Sequence, residues 1–189
     1  PPRLPGERRT VVLVLASGAR FEALVPRRHR RPRDVAGFFL GGGEQDALVA
    51  RLGTGRRGPY VSVEHEYAHL ALNRSLPAQP VWVAEGLAEL LSDAVIEAGE
   101  VRLGGRLSEL EALAREADEP LERLLRVRHD SPEYTGAAGG APLYARSWAL
   151  ARWAVARHGL DRLRTSLEAV AEGGDAVAAF EAHLAPLAE

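Results

Sequence analysis

The chain has 189 residues, of which 46% are hydrophobic and 26% are charged, a composition that suits one domain with a buried core. Its formal net charge of −2 gives no general indication of nucleic-acid binding. The lack of cysteine excludes disulfides, thiolate metal sites and cysteine nucleophiles, and no apolar run approaches the roughly 18 residues that span a bilayer.

The first third of the chain predicts a small β-sheet after a flexible lead-in at residues 1–9. Residues 10–16 carry a run of valine and leucine that is typical of a buried strand. Residues 21–25 either pair with this strand or begin a helix. Glycine-rich turns separate three further expected strands, at residues 35–40, 47–52 and 60–61.

The strongest charge block lies at residues 27–33, where five of the seven residues are arginine. As a phosphate-binding patch it would favour nucleic acid or an anionic surface. The block lacks interleaved aromatic side chains, and acidic residues elsewhere balance its charge. We therefore interpret it as a solvated loop and expect no nucleic-acid partner, with an anion- or nucleic-acid-binding domain as the weaker alternative.

A helix is predicted over residues 62–75, and it carries the sequence H-E-Y-A-H at residues 65–69. On a helix, His65 and His69 lie one turn apart on one face, close enough to hold one metal ion. Glu66 projects beside that face, within reach of a water molecule at the metal rather than of the metal itself. This is the pattern of an H-E-x-x-H site, with two imidazole ligands and one carboxylate base. The motif fixes only three positions and also arises by chance.

A second helix is predicted from just after Pro80 to about Ile96, and Glu85 and Glu89 share one otherwise apolar face of it. Burying unpaired carboxylates is costly, so these two glutamates require partners unless both are solvated. A zinc ion with its histidine ligands would satisfy both. Glu85 would be the third ligand, and Glu89 would accept a hydrogen bond from the far nitrogen of a ligand histidine.

Spacing excludes two other zinc patterns. The metzincin pattern needs glycine at position 72 and histidine at position 75, where the chain has Leu72 and Ser75. The inverted H-x-x-E-H pattern is absent from the sequence. The set of two histidines and one glutamate remains, and a catalytic zinc site of this kind leaves one position for water.

The rest of the chain predicts mainly helices, with no repeat and no second domain. The helices are expected at residues 107–115, 120–127, 143–158, 161–171 and 175–184. Residues 100–103 are either a strand or a loop, and the glycine-rich residues 136–140 are interpreted as a connector. Four histidines have no ligand-like partner one turn away and are interpreted as structural or solvated: His29, His129, His158 and His183.

Together, H-E-Y-A-H at residues 65–69 and A-E-G-L-A-E at residues 84–89 resemble the gluzincins, the thermolysin-like and aminopeptidase-like metallopeptidases. They are most similar to the bacterial peptidase-MA-like family, in which an H-E-Y-x-H helix precedes a W-x-x-E-G-x-A-E helix and a Y-x-x-S-W segment. That last segment corresponds to residues 144–148, and residues 34–40 resemble the family's strand before the metal helix. The resemblance covers about residues 11–184.

The predicted elements make an α+β fold of one domain, residues 1–189, with a sheet part at residues 10–61 and a mostly helical part at residues 62–189. The resemblance implies that the small N-terminal sheet and the helices form a zincin-like catalytic domain of the thermolysin or aminopeptidase type.

The resemblance also gives Tyr144 a catalytic role, in which its hydroxyl donates a hydrogen bond to the oxyanion of the tetrahedral intermediate. A phenol suits this role because it is a rigid donor that is neutral at pH 7. The alternative is that Tyr144 begins a core stripe, since apolar side chains follow it at helical spacing. Tyr134, in a turn at residues 131–134, is a substitute donor.

The expected activity is metal-assisted hydrolysis of peptide bonds, with one Zn²⁺ per chain held by His65, His69 and Glu85. Glu66 would take the proton of the attacking water and pass it to the leaving amine. The expected substrate is a peptide or protein, and the lack of an element that binds a free amino terminus favours an endopeptidase. The alternative is a non-catalytic binding or scaffold module that retains the zincin fold.

The chain begins at Pro1 and contains no methionine, so we expect it to be an excised part of a larger multidomain protein. An extracytoplasmic location of that protein is favoured, whether periplasmic, secreted or membrane-anchored.

Overall fold

A computed structural model describes residues 9–26, 36–40, 45–53, 60–76, 78–103, 119–135 and 140–187. The fold is α+β, as predicted, and the chain divides into two compact units, Pro1–Arg74 and Ser75–Glu189. The single domain over residues 1–189 stays a prediction. Several predicted features lie outside the described residues: most of the lead-in, the basic loop at 27–33, the helix at 107–115 and most of the glycine-rich connector.

The N-terminal unit contains a three-stranded sheet in the order β1–β3–β2 among the described residues. Its strands are β1 (Arg9–Leu15), β2 (Gly37–Leu40) and β3 (Gln45–Arg51). β1 is parallel to β3 and β2 is antiparallel to it, so that Leu48 faces Val12 on one side and Phe39 on the other. The central strand β3 is accordingly the most buried, with Leu48 and Ala50 fully enclosed.

The strand predicted at residues 10–16 exists, but the prediction that it is buried is wrong. Val11, Val12 and Leu13 of β1 are 46%, 48% and 41% exposed. β1 is an edge strand of the described sheet and pairs on one side only, with β3. A β-branched run predicts a strand but does not determine what covers it.

Residues 21–25 belong to a helix rather than to the sheet. Ser17 caps helix α1 (Gly18–Leu24) by accepting a hydrogen bond from the Arg20 backbone N–H at 3.4 Å. Phe21 of α1 is fully buried and its ring lies 5.8 Å from that of Phe38 on β2. These two rings, with Val49 and Val25, form a hydrophobic cluster of the N-terminal unit.

Helix α2 (Val61–Ser75) carries the H-E-Y-A-H sequence, as predicted. The strand expected at residues 60–61 is absent, because the Tyr60 carbonyl accepts the backbone N–H groups of Val63 and Glu64 at 2.8 and 3.0 Å and so begins the helix. Arg74 near the C-terminal end of α2 forms an ion pair with Asp46 of β3, whose side chain is 3% exposed. Removing either partner would leave a poorly solvated charge, which typically costs about 3–5 kcal/mol.

The C-terminal unit is mostly helical among its described residues. Its helices are α3 (Val81–Ser92), α4 (Leu121–Leu125), α5 (Pro132–Thr135), α6 (Gly140–Ala171) and α7 (Ala176–His183). A two-stranded hairpin of β4 (Val95–Glu97) and β5 (Glu100–Arg102) follows α3. None of the described helices is both long enough and apolar enough to cross a membrane.

Helix α3 is the central element of this unit, because every residue from Val81 to Ala88 is buried. It packs closely along α6, where a methyl group on Gly86 would lie 2.2 Å from the Ser147 carbonyl oxygen. Trp82 extends the core towards α7, and its ring lies 6.1 Å from that of Phe180. Most residues of α3 are apolar, and such a helix is stable only when neighbouring elements surround it, which explains its central position.

Helix α3 ends at Ser92, four residues before the predicted end at Ile96. Ala98 and Gly99 have φ angles of 51° and 83°, the positive values of a two-residue hairpin turn that joins β4 to β5. The strand alternative for residues 100–103 is therefore correct.

The later helices are confirmed with small shifts. The predicted helices at residues 143–158 and 161–171 both lie in α6, which is interrupted at Gly159 by a φ of 76°. Asp175 caps α7 by accepting the backbone N–H groups of Val177 and Ala178, both at 3.0 Å.

Candidate metal centre

The two histidines of α2 point to one place. His65 and His69 are one turn apart, their ring centroids are 4.7 Å apart, and their Nε2 atoms approach to 3.0 Å. Both side chains are half-buried. Two nitrogens that bind one tetrahedral zinc ion at about 2.0–2.1 Å lie about 3.3–3.4 Å apart. The pair is therefore within a few tenths of an ångström of a shared-metal geometry.

Glu85 lies on the fully buried part of α3 and is itself 3% exposed. A carboxylate at such a position must be hydrogen-bonded or bound to a cation, because its hydration has been lost. One hydrogen bond is evident: the Tyr134 hydroxyl donates to Glu85 Oε1 at 2.8 Å. The structure thus rules out the interpretation of Glu85 as a solvated surface residue.

His65, His69 and Glu85 form a group that could hold a metal ion. One potential ligand atom from each residue lies within 4.8 Å of those from the other two. The donor set of two imidazoles and one carboxylate, without any thiolate, matches the three-ligand sites of catalytic zinc proteins. The residues present therefore fit the metal that the motif predicts.

Glu66 lies next to strand β2 of the same unit. A methyl group built on Gly37 would lie 2.5 Å from Glu66 Cγ and 3.0 Å from Oε1, so the glutamate side chain occupies the space that any larger residue would need. Glu66 is half-buried and follows His65 directly on α2. The absence of a side chain at Gly37 therefore leaves room for the Glu66 side chain in its present position.

Tyr134 is the site residue whose importance the sequence did not reveal. It was predicted only as a substitute for Tyr144, yet its hydroxyl contacts the buried Glu85 carboxylate. The His129 ring packs edge-on against the Tyr134 ring, with centroids 5.2 Å apart. These residues are more than 40 positions from Glu85 in the chain, and no local spacing connects them.

The remaining predicted site residues lie on the expected helices. Tyr144 is half-buried near the beginning of α6, and Trp148, one turn later, is completely buried. This burial is compatible with the core-stripe interpretation and leaves the catalytic role of Tyr144 a prediction. Glu89 is half-buried on α3, one turn after Glu85, and its proposed hydrogen bond to a ligand histidine also stays a prediction.

Comparison of the sequence with models of known protein families and with curated proteins gave no match.

Proposed function

We propose that the protein is a zinc-dependent peptidase in which His65, His69 and Glu85 bind one Zn²⁺ ion. The observation that carries this proposal is the grouping of these three residues within 4.8 Å, with a glutamate immediately beside the first histidine. A metal centre with a purely structural role would not require that additional carboxylate. Catalytic sites do require it, because a base must accept the proton of the attacking water.

Each residue has a defined task in this proposal. A bound zinc ion supplies Lewis acidity, which lowers the pKa of a coordinated water and polarises the substrate carbonyl. The Glu66 carboxylate accepts the proton of the attacking water and returns it to the nitrogen of the leaving amine. The Tyr144 hydroxyl donates a hydrogen bond to the developing oxyanion. Glu89 accepts a hydrogen bond from a ligand histidine and so fixes the orientation of that ring.

The fold and the substrate class belong to the same proposal. A small N-terminal sheet followed by helices is the element order expected for a zincin-like domain that resembles the peptidase-MA-like family. The proposed substrate is a peptide or protein that is cleaved at an internal peptide bond, and the proposed location is extracytoplasmic.

The test is chelator-sensitive cleavage of casein or of a fluorogenic peptide library. We expect cleavage by the zinc-loaded protein, its loss on chelation and its return when zinc is added back. His65→Ala should bind zinc much more weakly and should not cleave. Full zinc occupancy without cleavage of any substrate would contradict the peptidase proposal and favour a non-catalytic binding module.

Replacing Gly37 with alanine tests the position of the proposed base. The new methyl group would overlap Glu66 Cγ, so the Glu66 side chain must shift, and the three heavy atoms nearest to the methyl group all belong to Glu66. We expect kcat to fall about 10- to 100-fold, the cost of misplacing a catalytic group by about 1 Å. Zinc affinity should be unchanged.

Gly18→Ala is the matched control for this variant, because a methyl group on Gly18 meets nothing within 4 Å. The wild type, Gly37→Ala and Gly18→Ala are compared by steady-state kinetics on one peptide and by zinc titration. A Gly37→Ala protein with the wild-type kcat would show that β2 does not position Glu66.

A further inference from the structure

We infer that Tyr134 is a positioning residue of the metal centre, which acts by holding one oxygen of the ligand Glu85 in a fixed place. The inference rests on the proposed function, since it takes Glu85 to be a ligand. Its basis is the 2.8 Å hydrogen bond from the Tyr134 hydroxyl to Glu85 Oε1, together with the 3% exposure of Glu85.

The chemistry of the contact explains why this donor is a tyrosine. Hydrogen bonds to a carboxylate are shorter and about twice as strong as neutral ones, and they matter most where water is excluded. A phenol supplies such a bond without adding a positive charge, which would compete with a metal cation for the same carboxylate. With Oε1 engaged by Tyr134, the Glu85 carboxylate would be held in one orientation when it serves as a metal ligand.

Tyr134 is itself held firmly. The Ser131 carbonyl accepts the backbone N–H groups of Tyr134 and Thr135 at 3.0 and 2.9 Å, which closes the single turn of α5. The Ser131 hydroxyl in turn accepts the Arg128 backbone N–H at 2.9 Å. His129, in the same turn, packs edge-on against the Tyr134 ring at an interplanar angle of 79°.

An ion pair attaches this turn to its neighbour. Arg123 of α4 lies 3.3 Å from the Glu133 carboxylate, next to Tyr134. The pKa of the Glu133 carboxyl lies below its ordinary value, first because its own backbone N–H donates to it and then because Arg123 pairs with it. The phenol hydroxyl therefore reaches Glu85 from a turn that backbone hydrogen bonds, a ring contact and an ion pair hold in place.

The test measures zinc affinity by competition with a chromogenic chelator and needs no catalysis. Tyr134→Phe removes the hydroxyl and keeps the ring against His129. We expect its dissociation constant for zinc to rise about 10- to 100-fold, the usual effect of losing a group that orients a ligand. Tyr60→Phe is the matched control, because Tyr60 is 56% exposed and should bind zinc like the wild type.

A double-mutant cycle distinguishes positioning through Glu85 from a general loss of structure. In a Glu85→Ala background the remaining histidine pair should bind zinc weakly, and Tyr134→Phe should then cause no further loss. A structural role would weaken zinc binding equally in both backgrounds, and that result would overturn the inference. A zinc affinity of the Tyr134→Phe protein within threefold of the wild-type affinity would also overturn the inference. Failure of the wild-type protein to bind zinc would instead overturn the proposed function.

Discussion

Glu66→Gln should reduce kcat for peptide cleavage by about 10²–10⁴-fold, the usual contribution of a positioned general base. Glutamine keeps the size and hydrogen-bonding capacity of the side chain but cannot accept a proton at neutral pH. Because Glu66 is proposed as the base and not as a ligand, the variant should still bind one zinc ion per chain. Steady-state kinetics and elemental analysis of the same preparation measure both quantities.

Glu64→Gln is the matched control for this variant. Glu64 lies in the first turn of the same helix and is exposed, so its replacement changes the net charge equally without touching the site. It should retain wild-type kcat and zinc content. If Glu66→Gln cleaved within about twofold of the wild-type rate, another group would have to be the base. If it lost its zinc, Glu66 would have a structural or ligand role.

Gly86→Ala should strongly destabilise the C-terminal unit. The added methyl group would lie 2.2 Å from the Ser147 carbonyl oxygen and 2.8 Å from the Ala151 Cβ, so α3 and α6 would have to separate. Overpacking typically costs about 1–3 kcal/mol, and contact with rigid backbone favours the upper end of that range. The better helix propensity of alanine offsets about 1 kcal/mol, which leaves a net loss of about 2 kcal/mol.

Thermal unfolding in the presence of a chelator measures this loss without a contribution from metal binding. For a chain of this length, about 2 kcal/mol corresponds to a midpoint lower by about 4–8 °C. Gly18→Ala, in a helix where the methyl group has free space, should leave the midpoint unchanged or raise it slightly. Equal midpoints for Gly86→Ala and the wild type would show that the two helices do not depend on this close approach.

Helical periodicity made the most reliable predictions for the site. The spacing of His65 and His69 requires them to share a face once α2 exists, and α2 begins and ends within one residue of its prediction. Glu85 followed from a different principle, because a carboxylate among apolar residues of a helix needs a partner if the helix is buried. Both inferences rest on local geometry, which a sequence displays directly.

The contacts of Tyr134 and Gly37 could not be predicted in this way. Tyr134 reaches Glu85 across 49 residues, and Gly37 lies against Glu66 across 29, so neither pair has a repeating interval that a sequence could show. They depend on how helices and strands pack, which is set by the whole core. A glycine beside a helix and a tyrosine two residues after a proline have many other common explanations.

The errors in the fold have similar causes. The apolar residues Val95 and Ile96 continued the pattern of α3, although they form a strand of an exposed hairpin. The signal was present, since β-branched residues flank the two-residue turn Ala98–Gly99. Alanine is uncommon at a positive φ, and this concealed the turn. The exposure of β1 was missed because its composition predicts a strand but does not show whether that strand lies at the edge or in the centre of the sheet.

The most direct test is X-ray diffraction at the zinc absorption edge, from crystals of the protein grown with zinc. One anomalous peak is predicted, with a ring nitrogen of His65, a ring nitrogen of His69 and one Glu85 carboxylate oxygen each about 2.0–2.2 Å away. No peak at this position, or an ion bound by the histidines while the Glu85 carboxylate points elsewhere, would contradict the three-residue zinc centre and the hydrolytic function built on it.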